Sequence, residues 1–436
     1  MIGLLVYGVG ALAGLLIRIG VTRWATALIA ATAFDGFRYQ DFSVTNALMV
    51  AFLVSVASEL FMGRRIRRNR LYAPAMAFLA VATIATVASE RSNSTGAFLL
   101  SLSALILLAC ALTHILDDAR KLRRLIGALL WMSGVAAVAV LVELGLFHFF
   151  GIELKPRHVL VNLQLYYVQS SGLFKSNALA AFHLVPGAAV AAFLRTQSTQ
   201  RRERGVLAAY LALVVSALIA TMARAALVTV VLLILLLLVQ AARRPGPKRI
   251  PAVLLVVGVV VFCIPAFLSF IIGFNLKAVV SRYGLMRGAL ESIARNPVLG
   301  SGPGSRVVAF YPEWEPEDSP VKDVMDEFSP RETHNTLLEI TADTGLLGLL
   351  LFLAINIILI RSASRKFKRI PPGFTRSALL ALVFGLLTTE FFALFDSVLY
   401  TKPIWILLGL TGGVLSLARR ESRQRLGHAH SPALYT

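Results

Sequence analysis

Charge is what this chain has least of for its length. Only 15% of its 436 residues are Asp, Glu, Lys or Arg, against 57% hydrophobic, and the mean hydropathy is +0.75. An ordinary soluble domain carries about 25% charged residues, so the balance excludes that class and points to a polytopic helical membrane protein. Cysteine is nearly absent. Cys110 and Cys263 both lie in apolar runs, so neither a disulfide framework nor a cysteine-based metal site is implied. Acidic residues are scarcer than basic ones, 23 against 43, for a net charge of +20. In a soluble protein that excess would suggest nucleic acid. Here the basic residues fall in short clusters between apolar runs, which is a topology signal instead. A cleavable leader is also lacking: the first apolar stretch has no basic start and is followed by more spans, so a retained helix is expected.

What is present is a series of long apolar runs. A bilayer has no water to satisfy backbone groups, so such runs must be helices, and each span needs roughly twenty residues. Candidate spans are 2–33, 44–62, 71–89, 97–115, 125–147, 177–194, 205–221, 224–242, 250–272, 335–360, 376–395 and 402–418. The first is interrupted by Arg18 and Arg23 and reads as one long tilted helix or two short ones. The expected fold is therefore all-α, one integral membrane domain over 1–436 with about twelve transmembrane helices. A large polar loop with short helices is expected over 273–334, and a disordered tail over 426–436. No internal repeat or inverted-repeat symmetry stands out.

The basic clusters set the orientation. Arg64–Arg70, Arg120–Arg124, Arg195–Arg204, Arg243–Arg249, Arg361–Arg369 and Arg419–Arg425 all fall on one side of these spans. By the positive-inside rule that side is the cytoplasm. Both termini are then inside, and the 273–334 loop is outside. A loop around 148–175, a tight turn at Thr221–Arg224 and the connection Asp396–Lys402 share its side.

Chemistry-bearing residues concentrate on that outer side. Arg224 sits within an apolar tract, where an arginine is costly unless it reaches an interface or a partner. It reads either as a snorkelling arginine at a helix end or as an anion site, since its planar fork matches phosphate oxygens. Arg282 and Arg287 lie in an amphipathic segment, 281–295, which also suits an interfacial helix. Asn296-Pro297 should end that helix, and the glycines at 300, 302 and 304 permit tight turns and close backbone approach. No Gly-Lys-Ser/Thr follows, so this is not a phosphate-binding loop of the nucleotide kind.

An acidic run follows: Glu313, Glu315, Glu317, Asp318, Asp323, Asp326, Glu327 and Glu332. It reads as solvated loop. His334 then opens the next span, with Thr333 or Asn335 as candidate caps. It is either a histidine at a helix end or a general base for a hydroxyl. No second histidine stands three or four residues away, which argues against zinc. Glu339 and Asp343 lie one turn apart in that span, and carboxylates there face a bundle interior or a wet cavity. Glu390 and Asp396 are similar but nearer a span end.

Taken in order, these motifs resemble the O-antigen ligase/polymerase superfamily. The pattern is an arginine, then Asn296-Pro297-Val298-Leu299-Gly300-Ser301-Gly302-Pro303-Gly304, then His334-Asn335-Thr336-Leu337-Leu338-Glu339 through Gly345-Leu346-Leu347-Gly348. Upstream, Ser171-Gly172-Leu173-Phe174 with Asn177, and Thr221-Met222-Ala223-Arg224-Ala225, resemble further family segments. The likeness covers roughly 165–350; the family's tryptophan four residues after the loop arginine is Met286 here.

The resemblance implies inverting glycosyl transfer on the periplasmic face of a bacterial inner membrane, without metal or nucleotide cofactor. The donor would be a glycan on undecaprenyl diphosphate. The acceptor would be a lipid A–core oligosaccharide in a ligase, or a second lipid-linked repeat unit in a polymerase. Carried onto this chain, Arg224 and Arg282 would bind the diphosphate with Arg287 in reserve. His334 would activate the acceptor hydroxyl, with Asn335 and Glu339 in support. A transporter of lipid-linked glycan is the alternative from another class. Candidate charges gathered on the outer side, rather than spread over central helices, favour the enzyme.

Overall fold

A computed structural model describes residues 20–35, 38–39, 42–63, 65, 69–89, 92–152, 159–162, 165–168, 170–242, 276–304, 333–367 and 370–429. Among them are twelve α-helices in chain order. They are α1 (Val21–Ala31), α2 (Val44–Phe61), α3 (Tyr72–Ala88), α4 (Ser92–Ile115), α5 (Ala119–Phe150) and α6 (Asn177–Gln197). Next come α7 (Arg201–Ala220), α8 (Arg224–Ala242), α9 (Leu276–Arg295), α10 (Thr336–Phe367), α11 (Phe374–Ala393) and α12 (Lys402–Ala429). Seven of the described helices are long and apolar enough to cross a membrane: α2, α4 from Thr95, α5, α6, α7, α10 and α11. Val21–Phe34, Tyr72–Ala88 and Ala225–Leu235 are shorter apolar helices. The protein is a helical polytopic membrane protein. The expected span at 250–272 and the start of the first span lie outside the described residues.

The all-α expectation needs one amendment. Two short antiparallel pairs are present: β1 (Arg38–Tyr39) with β2 (Phe42–Ser43), and β3 (Val159–Asn162) with β4 (Leu165–Val168). The second falls inside the expected 148–175 loop, where valines and tyrosines suit a pleated surface. The helix α12 continues to Ala429, into the expected 426–436 tail, and the rest of that tail lies outside the described residues.

Local chemistry fixes several helix ends. Asp118 caps α5, accepting from the Lys121 amide at 2.7 Å. At the far end Gly151 adopts φ +65° and closes the helix with its amide on Phe147. Ser176 caps α6, accepting from the Leu179 amide at 3.2 Å.

The core centres on α6, buried on almost every side and packed against α5, α7 and α11. Small residues permit this: a Cβ on Gly187 would stand 2.3 Å from that of Ser133 in α5. Trp405 of α12, Phe78 of α3 and Phe352 of α10 form an aromatic cluster with centroids 6.1–6.5 Å apart. It fastens the later helices to the earlier ones.

The expected single span 335–360 is in fact broken. Gly345 sits at φ +69°, ψ −175°, so α10 is a short helix, Thr336–Thr344, followed by a longer one. A left-handed φ in mid-helix is tolerable only for glycine. A sharp kink has an identifiable cause, and here the glycine run described below bonds to the backbone on both sides of the break.

Candidate functional site

His334 enters the site from an unusual backbone. Its φ is +50°, one of only two positive values at non-glycine residues among those described. Such a conformation persists only where the surroundings over-determine it, and here they do. The Thr333 hydroxyl bonds the Asn335 carbonyl at 2.9 Å and lies 3.2 Å from the Ser397 hydroxyl. The Asn335 side chain donates to the Leu394 carbonyl at 3.0 Å and caps the short helix through the Leu337 and Leu338 amides. The Thr336 hydroxyl donates to the Asp396 carbonyl at 2.8 Å and accepts from the Val398 amide at 3.0 Å. Residues 333–336 are thus stitched to the connection between α11 and α12.

That stitching brings His334 to Asp396. The imidazole Nδ1 lies 3.2 Å from the Asp396 Oδ1. The Asp396 side chain is 11% exposed and the imidazole 36%, so the carboxylate is covered while the ring remains reachable. A carboxylate accepts, so Nδ1–H donates, and in the neutral ring Nε2 is left as a lone-pair acceptor. The arrangement suits proton abstraction from a hydroxyl.

The glycine run locks this platform from below. Leu346 and Leu347 donate their amides to the Pro297 and Val298 carbonyls at 2.8 and 3.3 Å. In return Ser301 and Gly302 donate to the Ala342 and Asp343 carbonyls at 2.9 and 3.0 Å. The run is inserted into the break of α10. Its role is close backbone approach, as the glycines suggest, and a Cβ on Gly345 would stand 2.0 Å from the Val298 carbonyl oxygen. Asp343, wholly buried, also accepts from the Tyr400 hydroxyl at 2.6 Å.

A third cluster lies at the start of α8. The turn Thr221–Ala223 carries Met222 at φ +49°, and Arg224 is the first residue of the helix. The preceding α6 begins beside it, with the Asn177 side chain donating to the Thr221 carbonyl at 3.1 Å. Phe182, in the second turn of α6, packs on Phe392, in the last turn of α11, at 5.5 Å between centroids. The start of α8, the start of α6, the end of α11 and His334–Asp396 therefore share one end of the bundle. The opposite end carries Arg123, which stands 4.5 Å over the Phe374 ring, and Arg420, which donates to the Leu116 carbonyl at 2.9 Å.

The remaining expected residues are placed as follows. Arg282 falls in the second turn of α9; the side chains of Arg224 and Arg282, and the acidic run, lie outside the described residues. Arg287 is half-exposed and pairs with Glu291 at 3.1 Å along its own helix. Glu339 is buried in the short helix of α10. Among the described residues, no group of three or more His, Cys, Asp and Glu side chains converges as a metal site would require. Asp396 as the partner of His334 was not anticipated. The signal existed, because the orientation of the basic clusters already puts the Asp396–Lys402 connection on the side of His334.

Two comparisons bear on this geometry. Residues 209–353 match the family described as O-antigen ligase. The match takes in Arg224, the glycine run and His334 and stops short of Asp396. No curated protein matches the chain.

Proposed function

With residues 209–353 belonging to the O-antigen ligase family, we propose that this protein transfers a glycan from undecaprenyl diphosphate to a lipid A–core acceptor at the periplasmic face. Membership implies lipid-linked glycan transfer of the ligase or polymerase type. The ligase reaction, its sidedness and its residues are our reading. The observation that carries it is the His334–Asp396 pair, 3.2 Å apart at the end of the bundle where Arg224 opens α8.

In this scheme the acceptor hydroxyl gives its proton to His334 Nε2 as its oxygen attacks the anomeric carbon. The bond from that carbon to the diphosphate oxygen breaks, and the diphosphate leaves with the electron pair. Attack opposite the leaving group inverts the centre. Asp396 holds the imidazole in the right tautomer and stabilises the imidazolium that forms, as carboxylates do in hydrolase triads. Arg224 and Arg282 offset the growing negative charge on the diphosphate without reorganising. Holding two lipid-anchored substrates in one site lowers the entropic barrier to their meeting.

Purified protein in nanodiscs, given lipid-linked glycan and either lipid A–core or more donor, tests the reaction. Product only with lipid A–core supports the ligase. A ladder without it would assign a polymerase, and movement of donor across the bilayer without product would assign a transporter. Sidedness is tested by labelling a Ser319→Cys variant in intact cells stripped of the outer membrane. Reaction with an impermeant reagent is expected; protection would invert the orientation.

A further inference from the structure

Glu143 is an acidic residue that the scheme above leaves unused. It is buried in α5, two turns before that helix ends. A carboxylate in an apolar helix is costly unless fully satisfied. Its Oε2 accepts from the Ser170 hydroxyl at 2.5 Å, the Ser171 amide at 2.8 Å and the Gly172 amide at 2.7 Å. A single side-chain oxygen thus gathers the turn that leads into α6.

The turn is held closely. The Ser170 hydroxyl oxygen also lies 2.8 Å from the Val140 carbonyl oxygen, and a Cβ on Gly172 would stand 2.9 Å from the Val140 nitrogen. At its other end Phe174 is buried against the His183 ring, with centroids 4.4 Å apart. What the turn does is grip the end of α7. The Ser170 amide donates to the Ala220 carbonyl at 3.2 Å, and the Asn177 side chain to the Thr221 carbonyl at 3.1 Å. These carbonyls immediately precede the strained turn at Met222, from which Arg224 begins α8. The chain of contacts runs from Glu143 through the Ser170–Asn177 turn to the backbone that sets where Arg224 starts.

We propose that Glu143 is the positioning residue of the donor site: its carboxylate fixes the Ser170–Asn177 turn and, through it, the α7–α8 turn that presents Arg224 to the lipid diphosphate. This rests on the reading of Arg224 as a diphosphate ligand. Glu143 itself touches no substrate. Its chemistry is that of a rigid charged acceptor, which the neutral amide of the same shape only partly reproduces, because an amide oxygen accepts more weakly than a carboxylate oxygen.

The test uses the full chain in nanodiscs, with glycan-free undecaprenyl diphosphate as the binding probe and the lipid-linked glycan as donor. Glu143→Gln should weaken probe binding and raise the donor KM about tenfold, the size usual for coupling between two sites. The kcat at saturating donor should stay within about twofold, since the base is untouched. Glu143→Asp, which keeps the charge, should fall between the wild type and Glu143→Gln. Should Glu143→Gln fail to fold, Ser170→Ala removes one of the three bonds and should shift the donor KM the same way by less.

Unchanged probe binding in Glu143→Gln overturns the inference. So does an equal fall in kcat, donor affinity and thermal midpoint, which would make Glu143 a staple of the fold alone. Arg224→Ala separates the two readings. If that variant binds the probe as the wild type does, the donor-site assignment itself is wrong.

Discussion

His334 and Asp396 lie 62 residues apart in the chain and 3.2 Å apart in space. The contact exists because Thr333, Asn335 and Thr336 spend their side chains on the α11–α12 connection instead of on solvent. The strained φ of His334 is the local cost of aiming the ring. If Asp396 orients and stabilises the imidazole, Asp396→Asn should lower kcat while leaving donor binding intact. Loss of a hydrogen bond to a charged group is worth about 1.5–3 kcal/mol, hence a fall of roughly 10- to 100-fold. Steady-state transfer kinetics with donor titration measure this. A raised donor KM with unchanged kcat would instead place Asp396 in substrate binding.

At the scale of elements, the decisive joint is the glycine run inserted into the broken α10. Gly345→Ala would meet both a left-handed φ and a carbonyl oxygen 2.0 Å from the new Cβ. The strain alone is of order 1–3 kcal/mol, and the clash adds to it, so a clear fall in thermal midpoint is expected in detergent or nanodiscs. Gly127→Ala in α5 is the contrast, since nothing lies within 4 Å of its Cβ. Helical propensity there predicts a gain of about 0.5–1 kcal/mol.

This joint also marks the limit of what the sequence revealed. The end of α9 at Asn296-Pro297 was legible, because proline restricts the residue before it. The tight turn before Arg224 and the cap at Asn335 were legible for similar local reasons. The break at Gly345 was not, since a single glycine in an apolar run is compatible with an unbroken helix. The partners of Asp396 and Glu143 were hidden for another reason: they are backbone groups and side chains distant in sequence, and only packing brings them together.

For the whole molecule, one buried ion pair ties the N-terminal segment to the last helix. Lys402 donates to Asp35 at 2.7 Å, with exposures of 6% and 9%. Ser43 and Thr45 also donate to that carboxylate. Burial alone would push the Asp35 carboxyl up. The Lys402 and His183 charges and the hydrogen bonds from Lys402 and Thr45 outweigh it, and hold the group below the ordinary carboxylate range. A group lowered on folding stabilises the protein above its unfolded value, near pH 4, and loses that contribution as pH falls through the folded value. The thermal midpoint of the wild type should therefore drop as pH is lowered below about 4. Lys402→Met should destabilise by about 3–5 kcal/mol at neutral pH, because it strands a buried carboxylate, and Asp35→Leu/Lys402→Met should recover much of this. A double variant as unstable as the single one would show that the pair is not what joins these segments.

If His334 is the base of a glycan transfer, the transfer rate of His334→Ala at saturating lipid-linked donor and lipid A–core acceptor should reveal it. General base catalysis typically contributes about 10²- to 10⁴-fold. A loss of that size is expected, with undecaprenyl diphosphate binding preserved. Transfer by His334→Ala within about twofold of the wild type would contradict it.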